Sequence, residues 1–214
     1  MNILKFLIVL ITAYLLGSIA TAVWTGKLFH GIDVREHGSG NAGATNVIRV
    51  LGWKTGIPVL LADMAKGWLA ASLPMFFNLA EAGSAGLVNL QILTGLAAVT
   101  GHIFPVFAGF RGGKGVATIF GVVLALHPVI TLACFGLFLI VLFATGYVSV
   151  ASMTAGIAFP ILLVVFFNTP SLVFKLFSFF IAGALIITHR KNIKRLLKGE
   201  EAKFIRKRSG QQLS

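Results

Sequence analysis

Hydrophobic positions along this chain come in long blocks, not in alternation. Ile3 to Trp24, Ile57 to Phe77, Leu87 to Phe107, Val129 to Thr145, Ala151 to Phe167 and Leu172 to Ile187 each approach the roughly 20 apolar residues that carry an α-helix across a bilayer. A further block, Val116 to Leu126, is shorter and stops at His127-Pro128. Barrel strands would alternate apolar and polar positions, and these blocks do not. Counting the short block, the pattern predicts an all-α, polytopic integral membrane protein with seven transmembrane helices. They form one unit over residues 1–204, followed by a basic tail over 205–214 that reads in part as an expression remnant. The first block also resembles a signal peptide, with Lys5 ahead of its uninterrupted apolar run and the small residues Ser18-Ile19-Ala20 within it. It runs past that would-be cleavage site and more spans follow, which favours a span.

Composition strengthens the membrane reading. Of 214 residues, 57% are hydrophobic and only 11% charged, against about a quarter charged in soluble domains. A separate soluble domain has no room. The net charge of +12 could indicate nucleic acid. Its placement argues otherwise, because the basic residues gather in three short polar sections: Lys27 to Lys54, Arg111 to Lys114, and the tail from His189. The intervening loops, 78–86, 127–128 and 168–171, carry no Lys or Arg. The positive-inside rule then places the three glycine-rich or basic sections in the cytoplasm and the N-terminus outside. Six spans would put the tail opposite the other two sections, so the charge pattern favours counting the short fourth block. Cys134 lies in an apolar run and, as the single cysteine, forms no internal disulfide.

Candidate chemistry concentrates in the polar sections. The stretch Gly38-Ser39-Gly40-Asn41-Ala42-Gly43-Ala44-Thr45-Asn46-Val47-Ile48-Arg49 packs glycines, hydroxyls, asparagines and an arginine beside a span. Glycine lets backbone N–H groups face a ligand, and the side chains donate, so phosphate is the natural guest. The plain alternative is a flexible polar loop. Gly112-Gly113-Lys114-Gly115 opens a helix with backbone donors and a positive charge. A nucleotide phosphate loop needs Ser or Thr after the lysine, and Gly115 stands there. With six carboxylates in the whole chain, a metal–nucleotide site is poorly supplied, so no metal or cofactor is expected. Taken alone, this loop would be an ordinary positive-inside turn. Asp63 and Lys66, three apart within a span, read as a structural ion pair or a functional site. Of the five scattered histidines, His189 is the best candidate, with Asn192 three residues on. It can bond a substrate or cap its helix. No Gly-x-Ser-x-Gly elbow and no His-x4-Asp acyltransferase signature occurs.

Three motifs together are specific. Asp33-Val34-Arg35 with Gly38-Ser39-Gly40-Asn41, Gly43-Ala44-Thr45-Asn46 and Arg49 forms the first. Gly101-His102, Phe104-Pro105-Val106-Phe107 and Gly112-Gly113-Lys114-Gly115-Val116-Ala117-Thr118 form the second. His189-Arg190, Asn192-Ile193, Arg195-Leu196-Leu197, Gly199 and Glu201-Ala202-Lys203-Phe204 form the third. In order and spacing the chain resembles the bacterial acyl-phosphate-dependent glycerol-3-phosphate acyltransferases, the PlsY family, over nearly its whole length. It departs in extra residues around the second loop and a longer basic tail.

That resemblance implies a multi-pass protein of the bacterial inner membrane with a cytoplasm-facing site. It implies transfer of a fatty acyl group from acyl phosphate to the 1-hydroxyl of sn-glycerol 3-phosphate, giving lysophosphatidic acid and inorganic phosphate. By resemblance, Ser39, Gly40 and Asn41 hold the acyl phosphate, with Gly38, Thr45, Asn46 and Arg49 beside them. Gly112, Gly113, Lys114 and Gly115 hold glycerol 3-phosphate, with His189 and Asn192 completing the site and Ser149 a weaker candidate. Glu201 is expected to fold the tail back by pairing with a basic residue. An acyl phosphate is already activated, which fits a chain without a nucleophile–base pair, so direct attack without a covalent intermediate is expected. Oligomeric state stays open, a monomer being sufficient. The main rival is a transporter or channel for a phosphate-bearing solute. Against it, the polar groups lie on one face, whereas transporter sites lie near the bilayer midplane.

Overall fold

The computed structural model describes residues 3–167 and 171–204; the 205–214 tail lies outside them. Among the described residues the architecture is all helical. Ten helices follow in order: α1 (Ile3–Ser18), α2 (Thr21–His30), α3 (Ala44–Leu51), α4 (Trp53–Phe76), α5 (Ala85–Ile103), α6 (Val116–Leu126), α7 (Pro128–Thr145), α8 (Val148–Ile161), α9 (Leu172–Thr188) and α10 (Arg190–Leu197). A π-helical turn, Leu162–Phe166, continues α8 past Pro160. Four stretches are long and apolar enough to cross a membrane: Trp53–Phe76, Ala85–Ala108, Pro128–Thr145 and Val148–Phe166. The bent pairs α1–α2 and α9–α10 raise this to six if each pair is one span. With 11 residues, α6 is shorter than a span.

The helices sort their side chains by size. Ile3, Leu4, Leu7, Ile8 and Ile11 of α1 face outward, while Val9, Ala13 and Gly17 face in. Lipid offers no hydrophobic gain for helix pairing, so close contact between small residues has to supply it. At Gly17 a Cβ would sit 2.0 Å from the Ala98 carbonyl oxygen of α5, and at Gly101 of α5 it would sit 2.3 Å from the Tyr14 carbonyl oxygen. These reciprocal contacts bring α1 and α5 together backbone to backbone. The main apolar core lies on the other side, where Ile92, Ile119, Val122, Ile130, Phe159, Leu163, Phe177 and Ile181 of α5 to α9 pack together. A smaller core of Ala22, Val34, Ala44, Val47 and Val59 fixes the first polar section on α4.

The first apolar block departs from a single straight span. It breaks after Ser18, and α2 leaves α1 at 44°. The break exposes backbone that lipid cannot satisfy. Lys66 on α4 donates to the Ile19 carbonyl at 2.9 Å and pairs with Asp63 at 2.8 Å, while Thr21 Oγ1 donates to Asp63 at 2.6 Å. The Asp63–Lys66 pair is thus built, almost fully buried, and it anchors the break.

Candidate functional site

The first polar section is held by its own side chains. Arg35 grips Asp33 with two bonds, Nε to Oδ1 at 2.9 Å and Nη2 to Oδ2 at 2.6 Å. The guanidinium holds the Asp33 carboxyl far below the usual carboxylate range, against an opposing effect of burial. The other end of Arg35, Nη1, donates to the carbonyls of Ala108 (2.8 Å) and Arg111 (3.1 Å). Arg35 therefore clasps the first polar section to the second.

Asn46 is 1% exposed. Its Oδ1 accepts from the Ser39 amide at 2.8 Å and the Ser39 hydroxyl at 3.1 Å. Its Nδ2 donates to the Val34 and His37 carbonyls at 2.8 and 3.0 Å. Those four bonds fill the side chain's capacity. The expected substrate contact from Asn46 is therefore corrected: it is a scaffold for the loop. Gly38 belongs to the same scaffold, with φ +61°, and a Cβ there would stand 2.5 Å from Asn46 Oδ1. Ser39, Gly40, Asn41 and Thr45 remain partly or fully exposed around this anchor, and Arg49 is exposed in the last turn of α3.

In the second section the chain doubles back on the end of α5. The Gly112 amide donates to the Ile103 carbonyl (3.1 Å) and the Gly113 amide to the His102 carbonyl (3.2 Å). These carbonyls are left without intrahelical partners at a helix end, and the two amides satisfy them. The expectation that the Gly112 and Gly113 amides face a phosphate is corrected accordingly. The glycines are required for fit, since a Cβ on Gly113 would lie 2.3 Å from His102 Nε2 and 2.9 Å from the Ala42 carbonyl oxygen. That contact brings the two glycine-rich sections together. On its far side His102 lies 3.6 Å from Asp63, and both line a cavity of about 10 Å³, room for one water, together with Lys66, Ala42 and Gly113. Gly115, at φ +80°, starts α6.

The third section completes the cluster. Lys114 Nζ donates to Asn192 Oδ1, and Asn192 Nδ2 donates to Glu201 Oε1. Glu201 also accepts from Ser149 Oγ at 3.3 Å and, on Oε2, from Arg195 Nε at 2.8 Å. Lys114, Asn192, Ser149, Glu201 and Arg195 thus form one hydrogen-bonded chain from four parts of the sequence. His189 is buried at the α9–α10 bend and shares its Nδ1 with the Leu185 carbonyl at 2.8 Å. A carbonyl only accepts, so Nδ1 carries the hydrogen and Nε2 is left for another partner. The tail folds back over the site: the Phe204 amide donates to the Gly146 carbonyl at 2.7 Å, and the Phe204 ring packs on Trp53. Burial pulls the Lys114 ammonium down to about 8; Glu201 opposes this, and the charges of Arg195 and Arg49 add to it. Among the described residues no group of three or more His, Cys, Asp or Glu could hold a metal.

The comparisons with known proteins bear on this arrangement. A family model described as glycerol-3-phosphate acyltransferase matches residues 7–199. The chain belongs to the glycerol-3-phosphate acyltransferase family. Relatives of that name include one from Chlorobium phaeobacteroides, 45% identical over 91% of this chain and 94% of its own. Another, from Chlorobaculum tepidum, is 45% identical over 92% of this chain and 96% of its own. The crystal structure of PlsY, an integral membrane glycerol 3-phosphate acyltransferase, in its glycerol 3-phosphate form, superposes with a TM-score of 0.83 at 41% identity, covering 94% of this chain and 96% of that one. The lysophosphatidic acid form gives 0.77 at 39% identity, over 92% and 94%.

Within this acyltransferase-family fold, sequence reasoning missed the scaffold roles of residues that stood in its motifs. Arg35 and Asp33 stood in a motif, but nothing local showed that Arg35 reaches residues 108–111. His102 stood in the second motif with no role assigned, and it is the seat of Gly112 and Gly113. Arg195 stood in the third motif without an assigned partner, and it is the cation that holds Glu201.

Proposed function

We propose that this chain transfers a fatty acyl group from acyl phosphate to the 1-hydroxyl of sn-glycerol 3-phosphate, releasing lysophosphatidic acid and inorganic phosphate. The observation that carries the reading is the Lys114–Asn192–Glu201 chain, with Ser149, Arg195 and His189 around it and the first glycine-rich section against it. It is a concentrated set of cations and donors suited to phosphate, at the ends of helices whose flanks are apolar. The related PlsY was solved with glycerol 3-phosphate and with lysophosphatidic acid, one acceptor and one product of this reaction.

Lys114, Asn192 and His189 bind and orient the acceptor phosphate, and Ser39, Gly40, Asn41 and Thr45, with Arg49 beside them, bind the donor phosphate. The acceptor hydroxyl attacks the acyl carbonyl, the C–O bond to phosphate breaks, and inorganic phosphate leaves with the electron pair. The hydroxyl proton passes to a substrate phosphate oxygen. Positioning and charge stabilisation supply the rate, so no residue needs to be acylated. The chain crosses the inner membrane of a bacterium seven times, α6 included, with its N-terminus outside and this site at the cytoplasm. The burial of α6 between α4, α5 and α7 supports a short crossing shielded from lipid.

The deciding experiment supplies purified protein in lipid with acyl phosphate and glycerol 3-phosphate, and acyl-CoA in a parallel reaction. Lysophosphatidic acid from acyl phosphate alone is expected. Absence of product from folded protein sinks the proposal, and product from acyl-CoA alone overturns the donor.

A further inference from the structure

A second cleft lies beyond the clasp, on the side of α2. It encloses about 540 Å³ and is lined by Val23, Trp24, Lys27, Arg35, Phe107, Ala108, Gly109 and Arg111. None of these residues belongs to the Lys114–Asn192–Glu201 chain. Two sorts of side chain line it. Trp24 and Phe107 stand 6.2 Å apart and make an aromatic wall, both exposed. Lys27, Arg35 and Arg111 supply three positive charges, and Asp33, paired with Arg35 and 3.4 Å from Lys27, offsets one. Asp33 and the Ala108 and Arg111 carbonyls hold Arg35 in place, so that charge is preorganised. Leu28 and Phe29, also on α2, are three-quarters exposed.

An exposed apolar helix face next to aromatic rings and cations has the chemistry of a membrane interface. A soluble anion would leave the Trp24–Phe107 wall without a partner, and a zwitterionic lipid would leave the net positive charge unmatched. We infer that this cleft is a binding site for an anionic phospholipid of the surrounding bilayer. Its phosphate lies between Lys27, Arg35 and Arg111, and the start of its acyl chain lies along Trp24 and Phe107. The site is separate from the one proposed for acyl transfer.

Trp24 reports on the site directly. With Trp53→Phe and Trp68→Phe it is the one tryptophan left of three. The protein is placed in phosphatidylcholine vesicles, and phosphatidylglycerol brominated near the head of its acyl chains is titrated in, with brominated phosphatidylcholine as comparison. Trp24 should be quenched at a much lower fraction of the anionic lipid. Lys27→Gln with Arg111→Gln should weaken that preference about tenfold or more. Lys27→Arg with Arg111→Lys should keep it, which separates loss of charge from loss of fold. Lys194→Gln with Lys198→Gln, removing equal charge from α10, should also keep it.

Equal quenching by both lipids overturns the inference. Equal loss in the α10 variant does so as well, because the attraction would then be diffuse surface charge. Suppression of the anionic preference by millimolar inorganic phosphate would make this a soluble-anion site instead. The readout is fluorescence, so its outcome is distinguishable from failure of the acyl-transfer assay.

Discussion

Lys114 shows how one side chain can carry two opposite pH dependences. Its ammonium is pulled down to about 8 by burial and neighbouring cations. If the charged form binds the acceptor phosphate, kcat/KM falls as pH rises through about 8, because that profile reports the free protein. Stability moves the other way. The unfolded chain keeps its proton up to the ordinary lysine value of 10.5. Between about 8 and 10.5 the unfolded state therefore binds more protons, and stability rises with pH. A joint pH series of kcat/KM and thermal unfolding should show the two trends diverging, and Lys114→Met should abolish both. Asp33 gives the acid counterpart. Its carboxyl is depressed by Arg35, so the stability it contributes is full above the ordinary carboxylate range and is lost as pH falls below it. Asp33→Asn should lower the unfolding temperature at neutral pH by an amount matching about 1–3 kcal/mol and flatten the acid limb of the stability curve.

At the scale of elements, the α1–α2 break and α4 depend on one another. Lys66 holds both the Ile19 carbonyl and Asp63, so Lys66→Met leaves a buried carboxylate and a backbone oxygen without that donor. Breaking such a buried pair typically costs about 3–5 kcal/mol. Adding Asp63→Leu should recover part of that loss, and the remainder reports the Ile19 carbonyl together with the Thr21 hydroxyl, which loses Asp63 as acceptor. Unfolding of both variants in the same lipid checks this. The second polar section depends on the end of α5 in a similar way. Gly113→Ala pushes a methyl against His102 Nε2, which stands 2.3 Å from the position it would occupy. On the proposed roles the shift is passed to Lys114, so KM for glycerol 3-phosphate should rise well above the change in KM for the acyl donor. A uniform loss of kcat with both KM values unchanged would contradict that.

For the whole molecule, the segment 199–204 is what closes the site. Glu201 gathers Ser149 of α8 with Asn192 and Arg195 of α10, and the Phe204 amide pins the end to Gly146. Glu201→Gln keeps the size of the side chain and removes the charge facing Arg195 and Lys114. The Lys114 ammonium would then lose its opposing carboxylate, and the fall in kcat/KM should shift to lower pH. Removing everything after Gly199 should cost more activity than Glu201→Gln, because the pin at Gly146 goes as well. Paired unfolding and turnover measurements on the two variants separate charge from tail docking.

The sequence by itself determined the solvent for each segment. Long apolar blocks demand lipid, three polar sections hold nearly all the cations, and three motifs carry the phosphate-suited residues. These are local properties, summed over neighbours in the chain. Only the tertiary structure decided how hydrogen-bonding capacity is divided. Ser39 and Asn46 look alike in a polar stretch, yet every polar atom of Asn46 is occupied inside the loop. Gly112 and Gly113 read as phosphate donors, yet their amides close the end of α5. The apolar block from Ile3 to Trp24 gives no sign of a break, because the lysine that stabilises it sits 47 positions from the carbonyl it holds. A buried donor takes whichever acceptor the packing brings within about 3 Å, and that partner is set by helices meeting across the fold.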